Sequence, residues 1–203
     1  MKRIIINAAL FVGVIMFVAS CNTKNNDNAY NEDSKKAAND LNAEKFPKSG
    51  EDKDAEFAVK AVDGGMLEIK LGELAQTKGN SQEVKNLGKM LVEDHSKANE
   101  ELKAFAMAKD ISLPTSLSDE CQKMYDRIAS KDGKDFDEAF TEHMVKDHKK
   151  DIDAFKDEAK DGHDPDFREW ASGKVPTLEH HLDMAKSAEK AADREGKSTG
   201  KLD

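Results

Sequence analysis

The stretch FDEAFTEHMVKDHKKDIDAF, residues 136–155, decides the fold. Phe136, Phe140, Met144, Ile152 and Phe155 recur at the three- and four-residue spacing that puts side chains on one face of an α-helix. His148 stands four after Met144 and four before Ile152, in the middle of that apolar stripe. A solvated surface holds an Asp-His pair such as Asp147-His148 without cost. An apolar face does not, because a buried polar group needs a partner. The pair also occurs earlier, at Asp94-His95, where Val92, Asp94, His95 and Lys97 match Val145, Asp147, His148 and Lys150.

Working outward, the same periodicity predicts further helices. One runs from about Asp54 to Thr77, with Phe57, Ala61, Leu67, Leu71 and Leu74 on its apolar side. Gly79 stops it, and Asn80 or Ser81 caps the next helix, which runs to about Lys109 with Val84, Leu87, Leu91, Ala98, Leu102 and Phe105 in register. LPTSLSD breaks the chain before a shorter helix at 116–131. The helix that holds the opening stretch spans 134–160 and ends at Gly162. Asp164 and Pro165 then sit at the N-cap and first turn of a last helix carrying Phe167, Trp170, Leu178, Leu182 and Ala185. Pro176, with Gly173 nearby, should kink or restart that helix. Four amphipathic helices in two hairpins, joined by a shorter helix, must bury their stripes on one another. The fold class is all-α, and a four-helix bundle is the simplest solution. The joining segment of about 24 residues is longer than bundle loops usually are, so it either crosses the bundle as in ferritin-like folds or caps one end.

The two ends of the chain read differently. Lys2 and Arg3, the apolar run Ile4–Val18 and then Val18-Ala19-Ser20-Cys21 describe residues 1–20 as a secretory signal of the lipoprotein kind. The small residues before Cys21 resemble the bacterial lipobox, in which the cysteine thiol carries lipid. Asn22, rather than Asp, after it favours the outer membrane over the inner one. Residues 21–53, rich in Asn, Asp, Lys and Ser, have too little apolar surface to offset ordering and are expected to be a flexible tether. The tail 193–203 is expected to be disordered, leaving 54–192 as the folded domain. A net charge of −9 argues against a nucleic-acid partner. Membrane association is expected through the lipid alone. If Cys21 is lipidated, Cys121 has no partner; it shares a face with Leu117, Met124 and Ile128 and reads as a buried structural thiol rather than a redox group.

Three histidines and one glutamate share a seam and a height. His95 borders the stripe between Leu91 and Ala98, His181 lies between Leu178 and Ala185, and Glu68 falls between Gly64/Gly65 and Leu71/Gly72. With His148, each is near the middle of its helix (His181 if the last helix is continuous through Pro176), so the four are expected to converge at mid-bundle. One divalent ion (Zn, Cu, Ni or Fe) would satisfy all four, and so would a hydrogen-bonded network without metal. Asp94 and Asp147 are candidates to accept the outer ring N–H of a metal-bound histidine, each from a neighbouring helix. His143, His163 and His180 read as surface or turn residues.

The segments GGMLEIKLGELA (64–75), EVKNLGKMLVEDH (83–95), FDEAFTEHMVKDH (136–148) and VPTLEHHLDMA (175–185) together resemble the exported bacterial proteins catalogued as domain of unknown function 4142. The resemblance spans about 57–190 and implies a ferritin-like bundle in the cell envelope, with no reaction attached. The Glu-x-x-His motif of di-iron bundles is absent: Val92, Val145 and Leu178 stand three residues before the histidines. That removes the argument for iron storage or ferroxidase activity and suits a single ion better. Met144 and Met184, one turn from His148 and His181, keep copper open. Three readings result: a lipid-anchored bundle binding one metal ion or small ligand, an envelope interaction module with a hydrogen-bonded polar core, and, last, a metal-dependent enzyme, for which no catalytic constellation is visible.

Overall fold

The computed structural model describes residues 33–199; Cys21 and the signal segment lie outside them. The chain is all-α, with six helices and no strand among the described residues: α1 (Ser34–Lys45), α2 (Glu51–Lys78), α3 (Gln82–Ala108), α4 (Asp119–Ala129), α5 (Gly133–Asp161) and α6 (Pro165–Thr199). None of them is long and apolar enough to cross a membrane. The long helices pack as two hairpins, α2 on α3 and α5 on α6, with α3 also against α6 and α2 against α5. Boundaries follow local chemistry. The Ser81 hydroxyl accepts from the Val84 N–H at 3.2 Å to start α3, and Asp164 Oδ1 accepts from Asp166 N at 2.8 Å to start α6.

Buried aspartates tie the connections to the long helices. Asp54 on α2 accepts the N–H groups of His163 and Asp164 at 2.8 and 2.7 Å, which pins the α5–α6 turn. Asp63 takes both the N–H and the hydroxyl of Ser118 at 2.9 and 2.7 Å and lies 3.1 Å from Lys35 Nζ. Asp137 on α5 accepts from Asn80 and Ser81 N–H, both at 2.9 Å, fixing the α2–α3 turn. Cys121 Sγ lies 3.3 Å from Asp63, and burial pushes its thiol up to about 12, so it stays in the unreactive protonated form.

Three expectations need correction. The stretch expected as a flexible tether contains α1, and α1 is docked. Asp33 caps it, Ala38 and Asn42 are buried, and Asn42 pairs with Ser112 through both its N–H donor (2.8 Å) and its carbonyl (2.7 Å to Ser112 N). Polar docking, not apolar area, holds this helix, and composition does not register polar docking. The last helix does not restart at Pro176 but continues through it. Ser172, whose carbonyl loses its partner to the proline, is exposed, so the missing bond falls where solvent can reach it. It also continues to Thr199, into the expected tail, because a docked helix propagates more readily than it starts.

At one level α2 and α3 touch backbone to backbone. A Cβ on Gly88 would stand 2.6 Å from the Gly72 carbonyl oxygen, and one on Gly72 would stand 2.7 Å from that of Gly88. Gly88→Ala should therefore force the hairpin apart, with a net loss of about 1–2 kcal/mol after the gain in helix propensity. Gly173→Ala, where a Cβ meets nothing within 4 Å, should instead be neutral or gain up to about 1 kcal/mol. Urea midpoints of the two variants check this; equal shifts would show that the Gly72–Gly88 approach has slack.

Candidate functional site

The core is divided in two. One cluster holds Leu71, Leu87, Leu91, Phe140 and Met144; the other holds Leu102, Ile152, Phe155, Trp170 and Leu178. Each long helix passes from one cluster to the other at a polar residue. On α3 this is His95, between Leu91 and Leu102; on α5 it is His148, between Met144 and Ile152. On α6 it is His181, between Leu178 and Ala185, and on α2 it is Glu68, between Val62 and Leu71. Glu68, His148 and His181 are at most 1% exposed and His95 is 8% exposed, so the four form a buried polar layer between apolar ones.

Their hydrogen bonds have a direction. His181 Nε2 lies 2.9 Å from Asp94 Oδ2, and His148 Nδ1 lies 3.0 Å from the Met144 carbonyl oxygen and 3.2 Å from Glu68 Oε1. Asp94 Oδ2 and the Met144 carbonyl oxygen each accept an N–H, so these outer nitrogens carry the protons; Glu68 Oε1 lies near the His148 N–H but off its line. The inner nitrogens, His148 Nε2 and His181 Nδ1, then face each other at 3.2 Å. Two lone pairs at that distance repel unless a positive centre, a proton or a metal ion, lies between them. The three histidines each offer a ring nitrogen within 4.8 Å of the others. Nitrogens on a tetrahedral ion stand about 3.3 Å apart, so the group needs at most about 1.5 Å of closure.

Glu68 supplies negative charge to the layer. Its Oε2 lies 2.8 Å from His95 Nε2, yet the direction is poor: neither His95 Nε2 nor Glu68 Oε1 has a well-aligned hydrogen-bond partner. The contact is thus an ion pair by distance, and it leaves His95 Nε2, like Glu68 Oε1, able to take a better partner. Burial pushes the Glu68 carboxyl up, but the surrounding His95, His148 and His181 outweigh it and bring it down to about 2. Burial lowers His95, and Glu68 reverses this to a net rise. For His181 burial wins over Asp94 and lowers the imidazole to about 4, so it is neutral at pH 7 with its inner lone pair available.

Asp94 accepts from a histidine on a neighbouring helix. Asp147 does not: its Oδ2 is 3.8 Å from His143 Nε2 on its own helix, because successive residues of α5 point about 100° apart and His148 takes the inward direction. His143 is buried, contrary to the surface reading, whereas His163 and His180 are exposed. The signal missed is a row at four-residue spacing, His143, Asp147 and Asp151, along the edge of the α5 stripe. A cavity of about 120 Å³ reaches the layer, lined by Glu68, Asp94, His95 and His181 together with apolar Leu102, Phe155, Trp170 and Leu178.

No curated protein matches this chain, and no solved structure does. A family model matches residues 32–188, which takes in α1 and every element that carries the polar layer. On that match the chain belongs to the family described as a domain of unknown function, DUF4142.

Proposed function

We propose that this protein is a lipid-anchored component of the cell envelope whose helices form a ferritin-like four-helix bundle that binds one divalent transition-metal ion at His95, His148 and His181. The observation that carries the metal is the pair of inner nitrogens, His148 Nε2 and His181 Nδ1, 3.2 Å apart with their outer nitrogens committed to oxygens. This is how protein sites prepare imidazoles for a metal: the outer N–H is anchored and the inner lone pair is aimed. Three nitrogens suit Zn, Cu, Ni or Fe, and a three-ligand site keeps a position for a small molecule, which the adjoining cavity would admit. The reading is therefore of binding or sensing, with Asp94 orienting His181 and Glu68 balancing the ion's charge.

The test uses protein purified without a His tag and stripped with chelator. Added Ni²⁺ or Zn²⁺ should bind at one ion per chain. At a hundredfold excess over Kd it should stabilise the fold by about 2.7 kcal/mol. His181→Ala should weaken binding at least a hundredfold. If neither ion shifts the melting temperature, or if His181→Ala binds like the parent, the metal reading is wrong. The second reading, an interaction module with a purely hydrogen-bonded core, then takes its place. What favours that reading is Glu68, whose buried charge can balance a proton held among the histidines as well as it balances a metal ion.

The anchor is tested separately. Cys21 at the end of Val-Ala-Ser-Cys should be lipidated and the protein should fractionate with membranes. Cys21→Ala should abolish incorporation of labelled fatty acid; incorporation that persists in this variant would remove the anchor from the proposal.

A further inference from the structure

The geometry points to a second cation site, built from oxygen, on the α2–α5 side of the polar layer: Glu68, Asp147 and Asp151, with His143 beside them, take a manganese-type divalent ion. Each of the three carboxylates offers an oxygen within 4.8 Å of the others. Neighbouring oxygens bound at about 2.1–2.4 Å to one such ion stand about 3–3.4 Å apart, so the group needs at most about 1.8 Å of closure, within reach of side-chain rotation.

Acidic clusters are common without a metal, and this one differs in two ways. Glu68 is 1% exposed and its Oε1 has no aligned hydrogen-bond partner. His143, which is not one of the three carboxylates, has an Nε2 that is buried and equally without a hydrogen-bond partner, 3.8 Å from Asp147 Oδ2. Two unsatisfied polar atoms on two different helices thus border the same cluster. Both are groups that a cation takes as ligands. The cluster also carries a cost as it stands. Three carboxylates whose oxygens lie within 4.8 Å of one another, one buried and two half-buried, repel one another with little water between them. Lys146 and Lys150 line the same pocket but are exposed, and a solvated ammonium offsets little of that repulsion.

The donor chemistry sets this site apart from the histidine site. Carboxylate oxygens select hard ions such as Mg²⁺, Ca²⁺ and Mn²⁺, and the added imidazole favours Mn²⁺ among them. An open pocket of about 610 Å³, lined by His143, Asp147 and Asp151, gives the ion a route in from solvent. The two sites share only Glu68, so the polar layer would hold a softer ion on its nitrogen side and a harder one on its oxygen side.

The test is Mn²⁺ binding to the chelator-stripped protein, read from the loss of the free-ion signal in electron paramagnetic resonance and repeated with Ni²⁺. One Mn²⁺ should bind per chain. Asp151→Asn should weaken Mn²⁺ at least tenfold and leave Ni²⁺ uptake unchanged, whereas His181→Ala should do the reverse. Asp151→Asn removes a buried repulsion and keeps the side-chain shape, so it should melt no lower than the parent. No Mn²⁺ binding by the parent at millimolar ion, or equal Mn²⁺ binding by parent and Asp151→Asn, would overturn the site. Ni²⁺ uptake that persists in either case would leave the histidine reading standing, and Mn²⁺ uptake without Ni²⁺ would leave only this one.

Discussion

Glu68→Ala should lower the stability of the metal-free protein at pH 7 by about 3–5 kcal/mol. The carboxylate is 1% exposed and is the nearest negative charge to two imidazoles, 2.8 Å from His95 and 3.2 Å from His148. Removing it takes the nearest counter-charge from His95 and His148, between two apolar clusters, and the lost side chain leaves a cavity as well. Glu68→Gln keeps the shape and removes the charge, so it should lose less, about 1–3 kcal/mol. Urea unfolding in the presence of chelator measures both. A double variant with His95→Ala should lose less than the sum of the two singles, since each single already breaks the same contact. A loss under about 1 kcal/mol for Glu68→Ala would mean that the charge of the layer is balanced elsewhere.

The positions of the long helices were legible because apolar residues recur at helical spacing over four segments, and caps such as Ser81 and Asp164-Pro165 mark their starts. The polar layer was legible for the same reason: a histidine that interrupts a stripe, as His148 does between Met144 and Ile152, stands out against it. Side-chain direction was not. Asp94 and Asp147 occupy equivalent places in the two Asp-His pairs, yet Asp94 reaches across to His181 while Asp147 stays beside His143. Packing angles between helices decide that difference, and they are not written in spacing along one helix. His143 was missed because it borders the stripe instead of interrupting it. Helix α1 was missed because its docking rests on Asp33 and Asn42 reaching backbone groups more than seventy residues away or close to it, at Asp119 and Ser112.

Lowering the pH from 7 toward 4.5 should remove about 2–3 kcal/mol of stability through His181 alone. Burial holds the folded-state imidazole at about 4, while in the unfolded chain it titrates near its ordinary 6.5. Between those values the unfolded chain binds a proton that the folded chain does not. The contribution is therefore complete above about 6.5 and shrinks as the pH falls toward 4. Other groups in the layer act in the same interval or outside it. Glu68, brought down to about 2, loses its contribution only below its ordinary 4.5. His95, shifted upward by Glu68, contributes in the opposite sense: its share is present below 6.5 and lost as the pH rises through its raised value. Asp147 and Asp151, raised by burial and by Glu68, favour the folded state more as the pH falls through their raised values. These opposing slopes mean that the parent curve by itself does not isolate His181. The difference between the parent and His181→Gln does, because the variant keeps the other groups and cannot titrate at this position. In metal-free protein the destabilisation caused by His181→Gln should be largest at pH 7 and smaller by about 2–3 kcal/mol at pH 4.5. Parallel stability curves for the two proteins would show that His181 titrates alike in the folded and unfolded chains. Burial would then not keep the His181 lone pair free of a proton below about pH 6.5, and the metal site would lose that preparation.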